Sequence, residues 1–131
     1  MTSRFPLLAA GLLGLTGVAL GAFGAHALRE TLMAQGTRGS WDTAVHYHLF
    51  HTAAVFGAAI WSSQGVARKA ARRILSATYC WTAGVILFSG SLYGLALQGP
   101  RWLGPITPIG GLAFLAGWAC VAAAGLAKHE A

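Results

Sequence analysis

Four apolar runs of similar length, at about 5–27, 43–63, 74–97 and 105–127, constrain this chain more than any other feature. Each approaches the roughly 20 residues that a helix needs to cross the apolar core of a bilayer. The connections between them are too short to hold a soluble domain. Composition agrees at one decisive point: only 9% of the 131 residues are charged, against about 25% in soluble domains. Inside a bilayer the backbone has no water to bond, so spans of this length must be helices. The sequence therefore predicts an all-α fold, an integral membrane four-helix bundle that uses residues 1–131 as one four-span domain.

The charges predict its orientation. Arg4, Arg68, Lys69, Arg72, Arg73 and Lys128 fall on one side of a four-span arrangement, whereas Arg29, Arg38 and Arg101 fall on the other with Glu30 and Asp42. By the positive-inside rule both termini are cytoplasmic. The net charge of +6 is then a topology signal and not a nucleic-acid footprint. The Arg68–Arg73 cluster is short and lies between two spans, where anionic lipid headgroups are the nearer partner.

Arg4, the first apolar run and Ala25-His26-Ala27 imitate a secretory signal with its cleavage site, but the run exceeds the roughly 7–15 residues of a signal core. Its small residues read better as a packing surface. Gly14, Gly17, Gly21 and Gly24 continue from Ala10 at helical spacing and form one seam for close approach of another helix. Beyond it, residues 28–35 are expected as a short interfacial helix ended by Gly36, with Leu28, Leu32 and Met33 toward lipid. Ser40 is the expected N-cap of the second span, with Asp42 in its first turn, where a carboxylate suits the helix dipole. Trp41, Trp61 and Trp102 lie near span ends, as interfacial anchors do.

The second span opens on Trp41-Asp42-Thr43-Ala44-Val45-His46-Tyr47-His48-Leu49-Phe50-His51. Ionisable groups in a span must find a partner, face a cavity or stay neutral, so they mark a candidate site. At about 100° per residue, His48 and His51 share a face with Tyr47 nearby, while His46 points about 200° away from His48. One straight helix cannot converge all three imidazoles, so a metal would need ligands from other helices. Asp42, one turn before His46, is positioned to bond it and fix its tautomer.

In the third span Ser89, Gly90, Ser91, Tyr93 and Gly94 combine a Gly90-x-x-x-Gly94 packing contact with three hydroxyls. Span hydroxyls usually bond backbone carbonyls. Cys80 and Cys120 are single cysteines within spans and form no redox motif. The fourth span is expected to start with Thr107 as N-cap and Pro108 at the first helical position. On the four-span topology His26, Asp42, His46, Tyr47, His48, His51, Ser89, Ser91, Tyr93 and Thr107 all approach the outer leaflet, which predicts a polar pocket opening there.

Leu20-Gly21-Ala22-Phe23-Gly24-Ala25-His26, the Trp41–His51 stretch, Phe88-Ser89-Gly90-Ser91-Leu92-Tyr93 and Ile106-Thr107-Pro108-Ile109-Gly110-Gly111 resemble the YgdD family of small four-helix inner-membrane proteins, a family of unknown function. The resemblance covers nearly the whole chain in order. It implies a multi-pass protein of the bacterial inner membrane, with mitochondria-related eukaryotic relatives, and brings no activity or cofactor.

Three function classes follow from the residues. The leading one is a non-catalytic structural or accessory membrane protein, with the lipid bilayer and either a membrane-protein partner or a second copy as its company. The second is a metal- or haem-binding protein using His26, His46 and His51. The third is a small-solute or proton transporter, against which stands the lack of a mid-span Asp, Glu, Lys or Arg. An enzyme reading finds neither a nucleophile elbow nor a metal motif of recognised spacing.

Overall fold

The computed structural model describes residues 3–127, which are helical almost throughout and contain no strand. Pro6 stands in the first turn of α1 (Phe5–Ala25), where its missing amide costs nothing. The short α2 (Arg29–Gln35) ends at Gly36, whose φ of 69° is the left-handed conformation that closes a helix. Next come α3 (Arg38–Ser62) and α4 (Arg68–Gly84), the latter passing through a π-helical turn (Val85–Ser89) into α5 (Gly90–Ala96). A 3₁₀ turn (Arg101–Leu103) leads into α6 (Ile106–Gly125).

Four long rods result, since 68–96 runs as one 29-residue unit. The rods at 5–25, 68–96 and 101–125 are long and apolar enough to cross a membrane. The 25-residue α3 is long enough but carries Arg38, Asp42 and the three histidines, which lower its apolarity. α1 packs on α3 and α4 on α6, and α3 also meets α4 and α5 to join the two pairs. Both pairs are antiparallel: Gly24 meets Trp41 while Gly14 meets Thr52, and Gly110 meets Phe88 while the Arg73 guanidinium donates to the Ala123 carbonyl. Lys128, part of the charge count, lies outside the described residues.

The helix ends correct several expectations. α3 begins at Arg38, not near Trp41, so Ser40 is helical and caps nothing. The Thr37 hydroxyl at that end donates to the Ala96 carbonyl at 2.8 Å, spending itself on α5 instead of on an α3 amide. Asp42 therefore sits one turn further in and pairs with Arg38 at 3.5 Å. α4 already includes Arg68–Arg73, which extends the third rod well before residue 74. Pro105, not Thr107, precedes α6. Leu32 is fully buried against Trp41 and Ala96 instead of facing lipid.

Candidate functional site

The sequence-predicted pocket divides into an interior set and an exterior set. A helix can turn only one face inward, and α3 turns the face of Trp41, Ala44, His48, His51, Thr52 and Val55. His48 and His51 are 4% and 3% exposed, whereas His46, on the other side, is exposed with Asp42.

The partners of His48 fix its tautomer. The Thr16 hydroxyl donates back to the Leu12 carbonyl at 2.9 Å, so it accepts the Nε2–H of His48 at 3.2 Å. That leaves Nδ1 as an acceptor, and the Tyr93 hydroxyl donates to it at 2.9 Å. Three rods are thereby tied by a one-way chain, Tyr93 to His48 to Thr16 to Leu12, in which every hydrogen is used. One turn on, His51 takes the opposite tautomer. Its Nδ1 lies 2.9 Å from the Tyr47 carbonyl, which only accepts, so the proton is on Nδ1. Nε2 then accepts the Trp118 indole N–H at 3.1 Å. The ring also stacks on Phe114, with centroids 3.8 Å apart and planes 11° apart.

The hydroxyls behave similarly. Ser89, fully buried, donates to the Ala44 carbonyl of α3 at 2.7 Å. Ser91 donates to the Phe88 carbonyl at 2.9 Å, so the Thr107 hydroxyl donates to Ser91 at 2.6 Å. Thr107 thus ties α6 to α5, which corrects its expected role as an N-cap. Among the described residues no serine is hydrogen-bonded to a histidine; the hydroxyls that meet an imidazole are those of Thr16 and Tyr93, both on His48.

The exterior residues are not brought together with these. His26 ends α1 and is exposed. Asp42 bonds Arg38 instead of His46, because the earlier start of α3 places Arg38 one turn before it on the same face. His46 lines an open groove of about 550 Å³ with Gly21, Arg38 and Asp42. It also borders a groove of about 730 Å³ between α3 and α6, walled by Tyr47, Phe50, Phe88, Phe114 and Trp118. Tyr47 is 40% exposed there, its ring against Phe88 with centroids 4.6 Å apart.

Of the metal candidates, His51 has its only lone pair committed to Trp118, and His26 and His46 are surface residues of different helices. Among the described residues no three His, Cys, Asp or Glu side chains come close enough to hold an ion.

The seam glycines face α3. A Cβ at Gly24 would collide with the Trp41 indole, one at Gly17 would lie 2.7 Å from Leu49, one at Gly21 would lie 3.3 Å from Val45, and one at Gly14 would reach Thr52 at 3.5 Å. Trp41 is therefore 2% exposed, a buried knob whose Nε1–H donates to the Leu20 carbonyl at 3.0 Å, not an interfacial anchor. Trp61 and Trp102 are 42% and 65% exposed. In the third rod Gly94 meets Leu103, but Gly90 faces open space and makes no packing contact, which corrects the expected Gly90-x-x-x-Gly94 contact.

Sequence reasoning did not find Thr16, Phe114 or Trp118. Each is a common span residue, and its contact with a histidine depends on which helix lies beside α3. No local spacing encodes that.

A family model described as "Protein of unknown function (DUF423)" matches residues 20–111, most of the chain. The chain belongs to this family. It is 44% identical over 124 residues to the UPF0382 inner membrane protein YgdD of Escherichia coli (strain K12), covering 91% of this chain and 87% of that protein. A UPF0382 membrane protein of Haemophilus influenzae is 45% identical over 106 residues, 80% of each chain. One from Schizosaccharomyces pombe is 38% identical over 115 residues, 84% of this chain and 92% of its own. No solved structure matches. With its family and its apolar rods, the chain is a multi-pass inner-membrane protein. The matched region holds every residue of the expected pocket, while Thr16 and Trp118, which complete the two histidine contacts, lie outside it.

Proposed function

We propose that the protein is a non-catalytic, four-span structural or accessory component of the membrane, with both termini cytoplasmic, whose interior histidines lock its helices together. One observation carries this reading: both ring nitrogens of both buried histidines have a hydrogen-bond partner within the bundle. A ligand held by these imidazoles would need a free lone pair or proton, and the satisfied network leaves neither, although His51 also lines the groove between α3 and α6. The metal and haem reading loses support, because the His51 lone pair is spent on Trp118. The transport reading loses support too: the Tyr93–His48–Thr16 chain ends on the Leu12 carbonyl and does not open to the other face. For an accessory role, the face offered to a membrane-protein partner is the aromatic groove between α3 and α6.

A double-mutant cycle on His51→Phe and Trp118→Phe, read by unfolding in detergent, tests the lock. Coupling of about 0.6–1.7 kcal/mol is expected, the range for interhelical bonds in membranes. Zero coupling would remove the ground for the proposal. Orientation is tested separately: reporters at Gln64 and after Ala131 should be cytoplasmic and one at Gly36 external. Labelling of a cysteine at Gln64 from outside intact cells overturns that orientation.

A further inference from the structure

At the end of the bundle opposite the histidines, where the first turn of α1, the last turn of α3 and the first turns of α4 diverge, lies a cleft of about 580 Å³. That volume falls in the range of ligand sites, about 300–1,000 Å³. Pro6, Ala58, Ile74 and Leu75 wall it with apolar surface, and Arg68 and Arg72 stand one helical turn apart at its rim. Neither guanidinium has a hydrogen-bond or ion-pair partner among the described residues, whereas Arg73 donates to the Ala123 carbonyl and Arg38 pairs with Asp42. The two acidic residues among the described ones, Glu30 and Asp42, belong to the opposite end of the bundle. Among the described residues two cations thus stand here without a local counter-charge, next to apolar walls on rods long enough to cross a membrane.

We infer that this cleft binds an anionic phospholipid of the adjoining leaflet, its phosphate between Arg68 and Arg72 and an acyl chain along Pro6, Ala58, Ile74 and Leu75. Charge decides the sign of the headgroup, since guanidinium groups hold phosphate oxygens in bidentate geometry. The walls decide between a lipid and a soluble phosphate, because a free phosphate would leave the apolar surface uncovered. The inference is independent of the histidine lock and of the proposed accessory role.

The test is native mass spectrometry and thermal unfolding of the full chain in a neutral detergent, titrated with phosphatidylglycerol, with phosphatidylcholine and with glycerol phosphate. Phosphatidylglycerol should be retained and should raise Tm, while phosphatidylcholine and glycerol phosphate at equal ionic strength should not. Arg72→Gln should weaken phosphatidylglycerol binding about fivefold, the worth of one basic residue near an anionic lipid surface. Lys69→Gln removes the same charge from the same turn but outside the cleft and should leave binding within about twofold. Leu75→Trp should block the cleft and cut binding with no change of charge. Equal effects of Arg72→Gln and Lys69→Gln overturn the site in favour of diffuse attraction. Stabilisation by glycerol phosphate equal to that by phosphatidylglycerol overturns the lipid assignment. If Leu75→Trp does not fold, the contrast between Arg72→Gln and Lys69→Gln still decides.

Discussion

Trp41 of α3 lies over Gly24 of α1, and Trp81 of α4 lies over Gly117 of α6. Each pairing of the bundle is thus keyed by an indole seated where a partner helix lacks a Cβ, and each indole is 2% exposed. The two differ in their polar atom. Nε1 of Trp41 donates to the Leu20 carbonyl at 3.0 Å, while Nε1 of Trp81 is buried and has no partner among the described residues. The same shape therefore serves two energetic designs, one that adds a hydrogen bond and one that bears an unpaired donor. In lipid the apolar effect does not drive helices together, so close fit over small residues does most of the work. The fit of Trp81, beside Trp118 with centroids 4.6 Å apart, is good enough to tolerate the orphaned N–H.

The largest expected effect tests the part the two share. Gly24→Ala and Gly117→Ala each place a methyl against an indole that has no room to move, at a cost of about 1–3 kcal/mol for overpacking. Unfolding titrations should show both variants destabilised to similar extent. A wild-type midpoint for either breaks the comparison at that pairing.

A smaller effect isolates the difference. Trp41→Phe and Trp81→Phe lose similar volume, but only the first loses a bond, worth about 0.6–1.7 kcal/mol in a membrane protein. The second removes an unsatisfied donor whose burial costs about 1–3 kcal/mol. Trp41→Phe should be the less stable of the two by at least about 1 kcal/mol; equal midpoints would mean that the N–H of Trp81 finds a partner in the membrane.

The smallest effects mark the edge of the seam. A Cβ at Gly14 meets Thr52 only at ordinary contact distance, 3.5 Å, and one at Gly90 meets nothing. Gly14→Ala should change stability by less than about 0.5 kcal/mol. Gly90→Ala should be neutral or gain up to about 1 kcal/mol from reduced backbone entropy in the unfolded chain. Destabilisation by Gly90→Ala comparable to that of Gly24→Ala would show that the face at Gly90 is covered in the membrane.

Much of this architecture is legible in the chain itself. The apolar runs and the scarcity of charge require membrane-crossing helices, and the spacing of Gly14, Gly17, Gly21 and Gly24 requires one face of α1 to be narrow. The helical period also puts His46 about 200° from His48, so the two cannot share a face of α3, although the expected pocket included both. None of these conclusions needs a neighbour, because each follows from bond geometry or from the cost of polar groups in lipid.

Which histidine is interior is another matter. A helical period gives angles between side chains on one rod but not the rotation of that rod against the others. For α3 that rotation is set by contacts far apart in sequence: Trp41 over Gly24, Ser89 on the Ala44 carbonyl, and Thr37 on the Ala96 carbonyl. They turn His48 toward Tyr93 and His51 toward Trp118, and leave His46 outside. The short-range pairing of Asp42 with His46 fails for the same reason, since the start of α3 at Arg38 offers the carboxylate a cation on its own face. Local periodicity therefore determined the helices and the choices open to each polar residue, while tertiary packing chose among them, because a buried imidazole is stable only where the neighbouring rods supply a donor and an acceptor for its two nitrogens.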